Sequence, residues 1–287
     1  MRLFVFGLGY TALRLASRLH DMGWQIAGTC RTKEKCQSLR DQGIEAYLFD
    51  GSEPMQTITS ALNKTTHILI STPPSEHGDP AMQHHALDIA AVHDLSWLGY
   101  LSTTGVYGDR QGSWVDEATE CQPTSPRGQR RSDAEQNWMT LHADHGVPVH
   151  LFRLPGIYGP GRSALDAIRQ GRTQRIDKKG HVFCRVHVDD LVAGLLASML
   201  RPNPGQVYNL ADDEPAPPQD VTAFACQLLG LEPEPTIPFN EANLSPMGRS
   251  FYEECKRVRN QRMKDELGVS LTYPTYREGL KALLAEE

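Results

Sequence analysis

Apolar positions along the chain follow two rhythms in alternation: short unbroken runs and stretches spaced by three and four. Leu3 to Phe6 is a run, and it passes directly into Gly7-x-Gly9-x-x-Ala12. Ala12, Leu15, Ala16 and Leu19 then recur on one helical face. This predicts a strand, a glycine turn and a helix that ends at Gly23, a C-cap. The alternation continues with a strand Trp24–Cys30, a helix Lys33–Gln42 stopped by Gly43, a strand Ile44–Phe49, a helix near Met55–Leu62 and a strand His67–Ile70. A helical stretch holding His84 and His85 follows, then strands Trp97–Leu101 and His150–Leu154. Strands that take turns with helices in this way predict an α/β fold: a doubly wound parallel sheet with helices on both faces.

The later part is more broken. Arg185-Val-His-Val-Asp-Asp190 returns the chain to the sheet, the two aspartates capping a helix Leu191–Leu200, and Gln206–Leu210 reads as another strand. Pro215, Pro217 and Pro218 mark the shift into a C-terminal lobe with helices Asp220–Leu229 and Arg277–Leu284. Between them lies a basic segment, Lys256 to Arg262, read either as a solvated helix or as a group facing the cleft.

Composition narrows the function classes. Of 287 residues 39% are hydrophobic and 22% charged, with no apolar run long enough to span a bilayer, so no membrane partner is expected. The first strand begins at residue 2, which leaves no room for a signal peptide and predicts a cytoplasmic location. A net charge of −6 excludes a general nucleic-acid binder, which needs surplus cations to displace counterions. Cys30, Cys36, Cys121, Cys184, Cys226 and Cys255 include no C-x-x-C pair and are expected to be reduced packing residues. Adjacent histidines point to different helix faces, so His84 and His85 are expected in solvent, and no metal site is expected.

The chemistry concentrates at the carboxyl ends of the strands. After a strand, Gly7 permits a tight turn, Gly9 lets backbone approach a pyrophosphate, and Ala12 lets helix and strand pack closely. Tyr10, Thr11 and Ala12 supply first-turn N–H groups for the phosphates. About twenty residues on, where a carboxylate would hold an NAD ribose, the chain has Arg31 and Thr32. A guanidinium can grip a 2′-phosphate through two hydrogen bonds, so NADP is the expected cofactor, with NAD possible. Asp50 either reaches the adenine amine or simply closes an Asp50-Gly51 turn. Ser71, Thr72 and Pro73 follow a central strand, at the end where ligands sit in open α/β sheets.

Several ordered motifs together resemble the extended short-chain dehydrogenase/reductases, which include the NAD-dependent epimerase/dehydratases. Besides the glycines these are Ser102-Thr-Thr-Gly-Val-Tyr-Gly108, Arg153-Leu-Pro-Gly-Ile-Tyr-Gly-Pro-Gly161, Arg185 to Asp190 and Val207-Tyr-Asn-Leu-Ala211. The resemblance implies a Rossmann-type NAD(P)-binding domain over 1–161 and 181–211, with a small substrate-side lobe over 162–180 and 212–287. It implies that Thr103 helps hold a substrate oxygen, that Pro155 lies at the nicotinamide end, and that a Tyr-x-x-x-Lys pair does acid/base work. Aligned on Pro123 and Glu135, however, that pair is Arg127 and Arg131. Arginine stays protonated and cannot shuttle the proton. Three expectations remain open. Tyr107 or a C-terminal residue supplies the acid; the arginines clamp an anionic substrate; or the chain is a non-catalytic NADP(H) sensor. Sequence reading thus points to an atypical NADP-preferring oxidoreductase or epimerase-like enzyme for a small anionic metabolite, a monomer or homodimer.

Overall fold

The computed structural model describes residues 1–286. It opens with strand β1 (Arg2–Phe6), helix α1 (Tyr10–Asp21), strand β2 (Gln25–Cys30), helix α2 (Lys33–Asp41) and strand β3 (Glu45–Leu48). Helix α3 (Ile58–Ala61), strand β4 (His67–Ile70), helix α4 (Pro80–Ala90), strand β5 (Trp97–Thr103) and helix α5 (Pro126–His145) follow. With the strands Val149–Leu154 and Val207–Asn209 they form one seven-stranded sheet. Its order is Val207–Asn209, Val149–Leu154, β5, β4, β1, β2, β3. β1 pairs in parallel with both β2 and β4, so the winding reverses at β1, the topological switch point of a doubly wound Rossmann-type fold.

Local sequence explains the regular parts. All five residues of β1 are buried, as a strand covered on both faces requires. α1 buries Thr11, Ala12, Leu15, Ala16 and Leu19, a single face at helical spacing. It ends in a Schellman motif: Gly23 takes φ +81°, its N–H donates to His20 O, and Trp24 N–H donates back to Leu19 O. Gly43 and Ile44 close α2 in the same way on Arg40 and Leu39.

The chain divides into two units. The first comprises Met1–Thr103, Gln129–Arg153 and Leu195–Tyr208; the second comprises Thr104–Gly128, Leu154–Gly194 and Asn209–Glu287. In the second, Gly156–Tyr158 pairs in parallel with Arg185–His187, and a small apolar cluster gathers Leu165, Ala225, Tyr276 and Leu280.

Three local expectations are corrected. His85 is not in solvent but 1% exposed. Its Nε2 accepts the Met55 N–H at 3.0 Å, its Nδ1 faces Asp88 Oδ2 at 3.0 Å, and its ring stacks on Phe6, because its face of α4 turns toward the sheet. Asp190 does not cap the helix, which begins at Val188; its carboxylate instead accepts the Thr272 and Tyr273 N–H groups at 2.8 and 2.9 Å. The basic segment is not one helix. Arg257–Val258 pairs as a strand with Trp114–Val115, and Lys256 is buried against Glu254 at 2.7 Å. Among the described residues no helix is long and apolar enough to cross a membrane.

Candidate functional site

The first unit builds a cradle at the carboxyl end of β1. Gly7 takes φ +93°, which a side chain would resist, and a Cβ there would lie 3.0 Å from Thr72 Cγ2 and 3.2 Å from Thr72 N. The turn is held by Gly7 N–H donating to Thr29 Oγ1 at 2.9 Å and Leu8 N–H to Thr29 O at 2.8 Å. Gly9 is exposed and forms the N-cap of α1 with no side chain capping the helix and no acid in its first turn. A Cβ at Gly9 would meet only Gly7 O, at 4.0 Å, so the space over the helix N-terminus is open on this side. Beside it, Thr72 Oγ1 is buried and has no hydrogen-bond partner among the described residues. A bare helix start, an open approach and an unsatisfied hydroxyl fit an anionic dinucleotide backbone.

At the end of β2, Arg31 is exposed and makes no hydrogen bond or ion pair among the described residues. Thr32 uses its hydroxyl as the N-cap of α2, accepting Lys35 N–H at 3.2 Å. Asp50 Oδ1 closes a turn by accepting Ser52 N–H at 3.0 Å and Ser52 Oγ–H at 2.6 Å. These Ser52 bonds hold the carboxyl below its ordinary value. Cys30 and Cys36, expected as separate thiols, form a disulfide with Cα atoms 5.9 Å apart; the strand-to-helix turn folds back on itself, which a spacing of six residues does not reveal. The other four cysteines carry thiols.

The expected catalytic positions are held by cations bound to the protein itself. Thr103 ends β5 half-buried. Arg131 Nη1 donates to Leu101 O, and its guanidinium lies 5.8 Å over the Tyr100 ring. Arg127 is exposed in the second unit and lies 5.8 Å over the Phe251 ring. Under the end of β5, Glu135 on α5 binds Arg153 through Nη2 at 2.7 Å and Nε at 3.2 Å, and accepts the Ser102 hydroxyl. Both charged side chains are buried, at 6% and 7% exposure.

The remaining expected residues, Tyr107 and Pro155, belong to the second unit. Pro155 is half-buried. Tyr107 has no exposed surface, and its hydroxyl donates to Asn209 Oδ1 at 2.7 Å, while Asn209 Nδ2 donates to Arg259 O at 3.1 Å. The structure adds two groups that sequence reading did not single out. Neither carboxylate oxygen of Asp212 has a hydrogen-bond partner among the described residues, nor does Arg185 Nη1. Burial pushes the Asp212 carboxyl up to about 8, against the pull of the Arg185 charge. Because the folded state then keeps a proton that the unfolded chain releases above about pH 4, stability falls as pH rises from there toward 8. Asp212→Asn is therefore expected to gain on the wild type progressively between pH 5 and 8 in urea melts. Two stability curves running parallel across that range would contradict this.

The chain resembles proteins of several activities. The NAD dependent epimerase/dehydratase family model matches residues 5–211. Protein YeeZ of Escherichia coli K12 is 28% identical over 282 residues, covering 94% of this chain and 95% of that protein. A solved structure of a functionally unknown conserved protein from Silicibacter pomeroyi is 50% identical, covers 99% of this chain and 98% of its own, and superposes with a TM-score of 0.92. UDP-glucuronic acid 4-epimerase from Bacillus cereus, solved with NAD, shares the fold at 15% identity, 100% and 99% coverage and a TM-score of 0.76. With a family model spanning well over half the chain, the chain belongs to the NAD dependent epimerase/dehydratase family, and the arginines at both expected catalytic positions make it an atypical member.

Proposed function

We propose that this chain is an NADP-preferring oxidoreductase or epimerase-like enzyme acting on a small, anionic metabolite. One observation carries the reading. An open glycine cradle stands over the uncapped start of α1, and the exposed Arg31, with no partner of its own, follows β2, the strand beside β1. In this reading the first-turn N–H groups and Thr72 hold the pyrophosphate side, and Arg31 holds the 2′-phosphate. Ser71, Pro73 and Asp50 complete the expected contacts in the first unit. The bound cofactor would supply hydride chemistry. Thr103 would hold the substrate oxygen, while the Arg131 guanidinium can stabilise negative charge, and arginine is no proton shuttle. The buried Arg185, with an unpartnered Nη1, supports an anionic substrate.

Titrating the purified protein with NADPH and NADH tests this. NADPH should bind saturably and more tightly than NADH. Arg31→Glu should weaken NADPH at least tenfold, by the order expected for one lost two-pronged phosphate contact, and leave NADH within about twofold. Equal losses for both cofactors would take Arg31 out of the site. Arg127 and Arg131, standing in the catalytic positions, also support a second reading, a cofactor sensor without turnover. Steady NADPH oxidation with any member of a carbonyl-compound panel would end it.

A further inference from the structure

The Cys30–Cys36 disulfide closes the short loop that carries Arg31. Cys30 is the last residue of β2 and Cys36 the fourth of α2, and both side chains are buried, at 5% and 2% exposure, beneath residues 31–35, all exposed. We propose that Cys30–Cys36 is a reversible thiol–disulfide site that sets how tightly the chain holds a phosphorylated dinucleotide. This rests on the reading of Arg31 given above.

Its position favours this over a purely structural role. A link across six residues constrains the unfolded chain less than a long one, so its stabilising effect is at the low end for disulfides. What it does constrain is the backbone on either side of Arg31. The flanking main-chain bonds are independent of it: Phe49 N–H to Cys30 O at 3.0 Å, and Cys36 N–H to Thr32 O at 3.1 Å. The Thr32 cap on Lys35 N–H at 3.2 Å is independent as well. Opening the S–S bond therefore loosens the loop and leaves sheet and helix in place. Fraying of the exposed first turn gives access to the sulfurs. Arg31, Lys33 and Lys35, offset in the loop by Glu34 alone, draw an anionic low-molecular-weight thiol to it.

The exchange balances with that thiol as reductant. Its thiolate attacks Cys36 Sγ, the S–S bond breaks, and its electron pair leaves on Cys30 Sγ, which takes up a proton. A second thiol displaces Cys36 Sγ from the mixed disulfide. Two small thiols thus become one small disulfide, and the protein gains two electrons and two protons as a dithiol.

The test uses the wild-type protein, oxidised with a small disulfide or reduced with dithiothreitol and desalted. Alkylation after denaturation without reductant should count four thiols in the first form and six in the second. The NADPH Kd should rise about fivefold on reduction, the scale of leaving one long side chain to be ordered on binding, while the NADH Kd stays within about twofold. Cys36→Ser should bind like the reduced form and ignore the reductant. A melting curve for each form shows that it is folded. Six thiols after oxidation, or the same NADPH Kd in both forms, overturns the inference alone. Failure of both cofactors to bind in either form overturns the Arg31 reading and this inference with it.

Discussion

Replacing Gly9 with aspartate should raise the NADPH Kd at least a hundredfold while leaving the protein as stable as before or more so. The two effects come from the same atoms. A Cβ at Gly9 has open space, with Gly7 O at 4.0 Å as its only neighbour, and the backbone there, at φ −95°, suits any residue. Asp at an N-cap accepts N–H groups of the first helical turn and is worth a few tenths of a kcal/mol over the Gly it replaces. Those are the N–H groups the pyrophosphate needs, and the new carboxylate repels it as well. Loss of two or more charge-assisted hydrogen bonds, each worth about 1.5–3 kcal/mol, accounts for the fall in affinity. Calorimetric titration and a thermal melt of the same sample check both signs. Lost binding with a lowered Tm would mean that the turn had merely been broken.

Glu135→Ala should destabilise the first unit by about 3–5 kcal/mol, because it leaves the Arg153 guanidinium buried without its carboxylate. For a chain of this size that is a fall in Tm of roughly 10 °C. Glu135 joins three elements: it lies on α5 and receives Arg153 from the strand Val149–Leu154 and Ser102 from β5. A paired Glu135→Leu, Arg153→Met replacement should recover most of the loss, since a well-packed apolar pair can stand in for a buried ion pair. A loss under about 1 kcal/mol for Glu135→Ala would show that water reaches Arg153 and that this ion pair does not organise the strand ends.

What could be read from the chain alone was what short-range chemistry determines. The run Leu3–Phe6, the Gly7–Gly9 turn and the glycines at 23 and 43 each act within a few residues, and the structure places them in β1, the cradle and two Schellman ends. Features that depend on which distant surface a side chain meets were not legible. His85 lies inside because α4 packs that face toward Phe6 and Phe49. Asp190 serves a loop about eighty residues further on, not its own helix. Arg257–Val258 pairs with Trp114–Val115, a partner that charge pattern does not reveal. Asp212 and Arg185 stand out only once their oxygens and Nη1 are seen to be buried without hydrogen-bond partners. The one local hint was the Arg185-Val-His motif at the start of the returning strand.

The crystal structure of the protein with NADPH tests the central claim most directly. It should place the pyrophosphate within hydrogen-bond distance of the first-turn N–H groups after Gly9, beside Thr72, with the 2′-phosphate on the Arg31 guanidinium. Crystals grown at saturating NADPH that show this turn without nucleotide, or the 2′-phosphate directed away from Arg31, would contradict it.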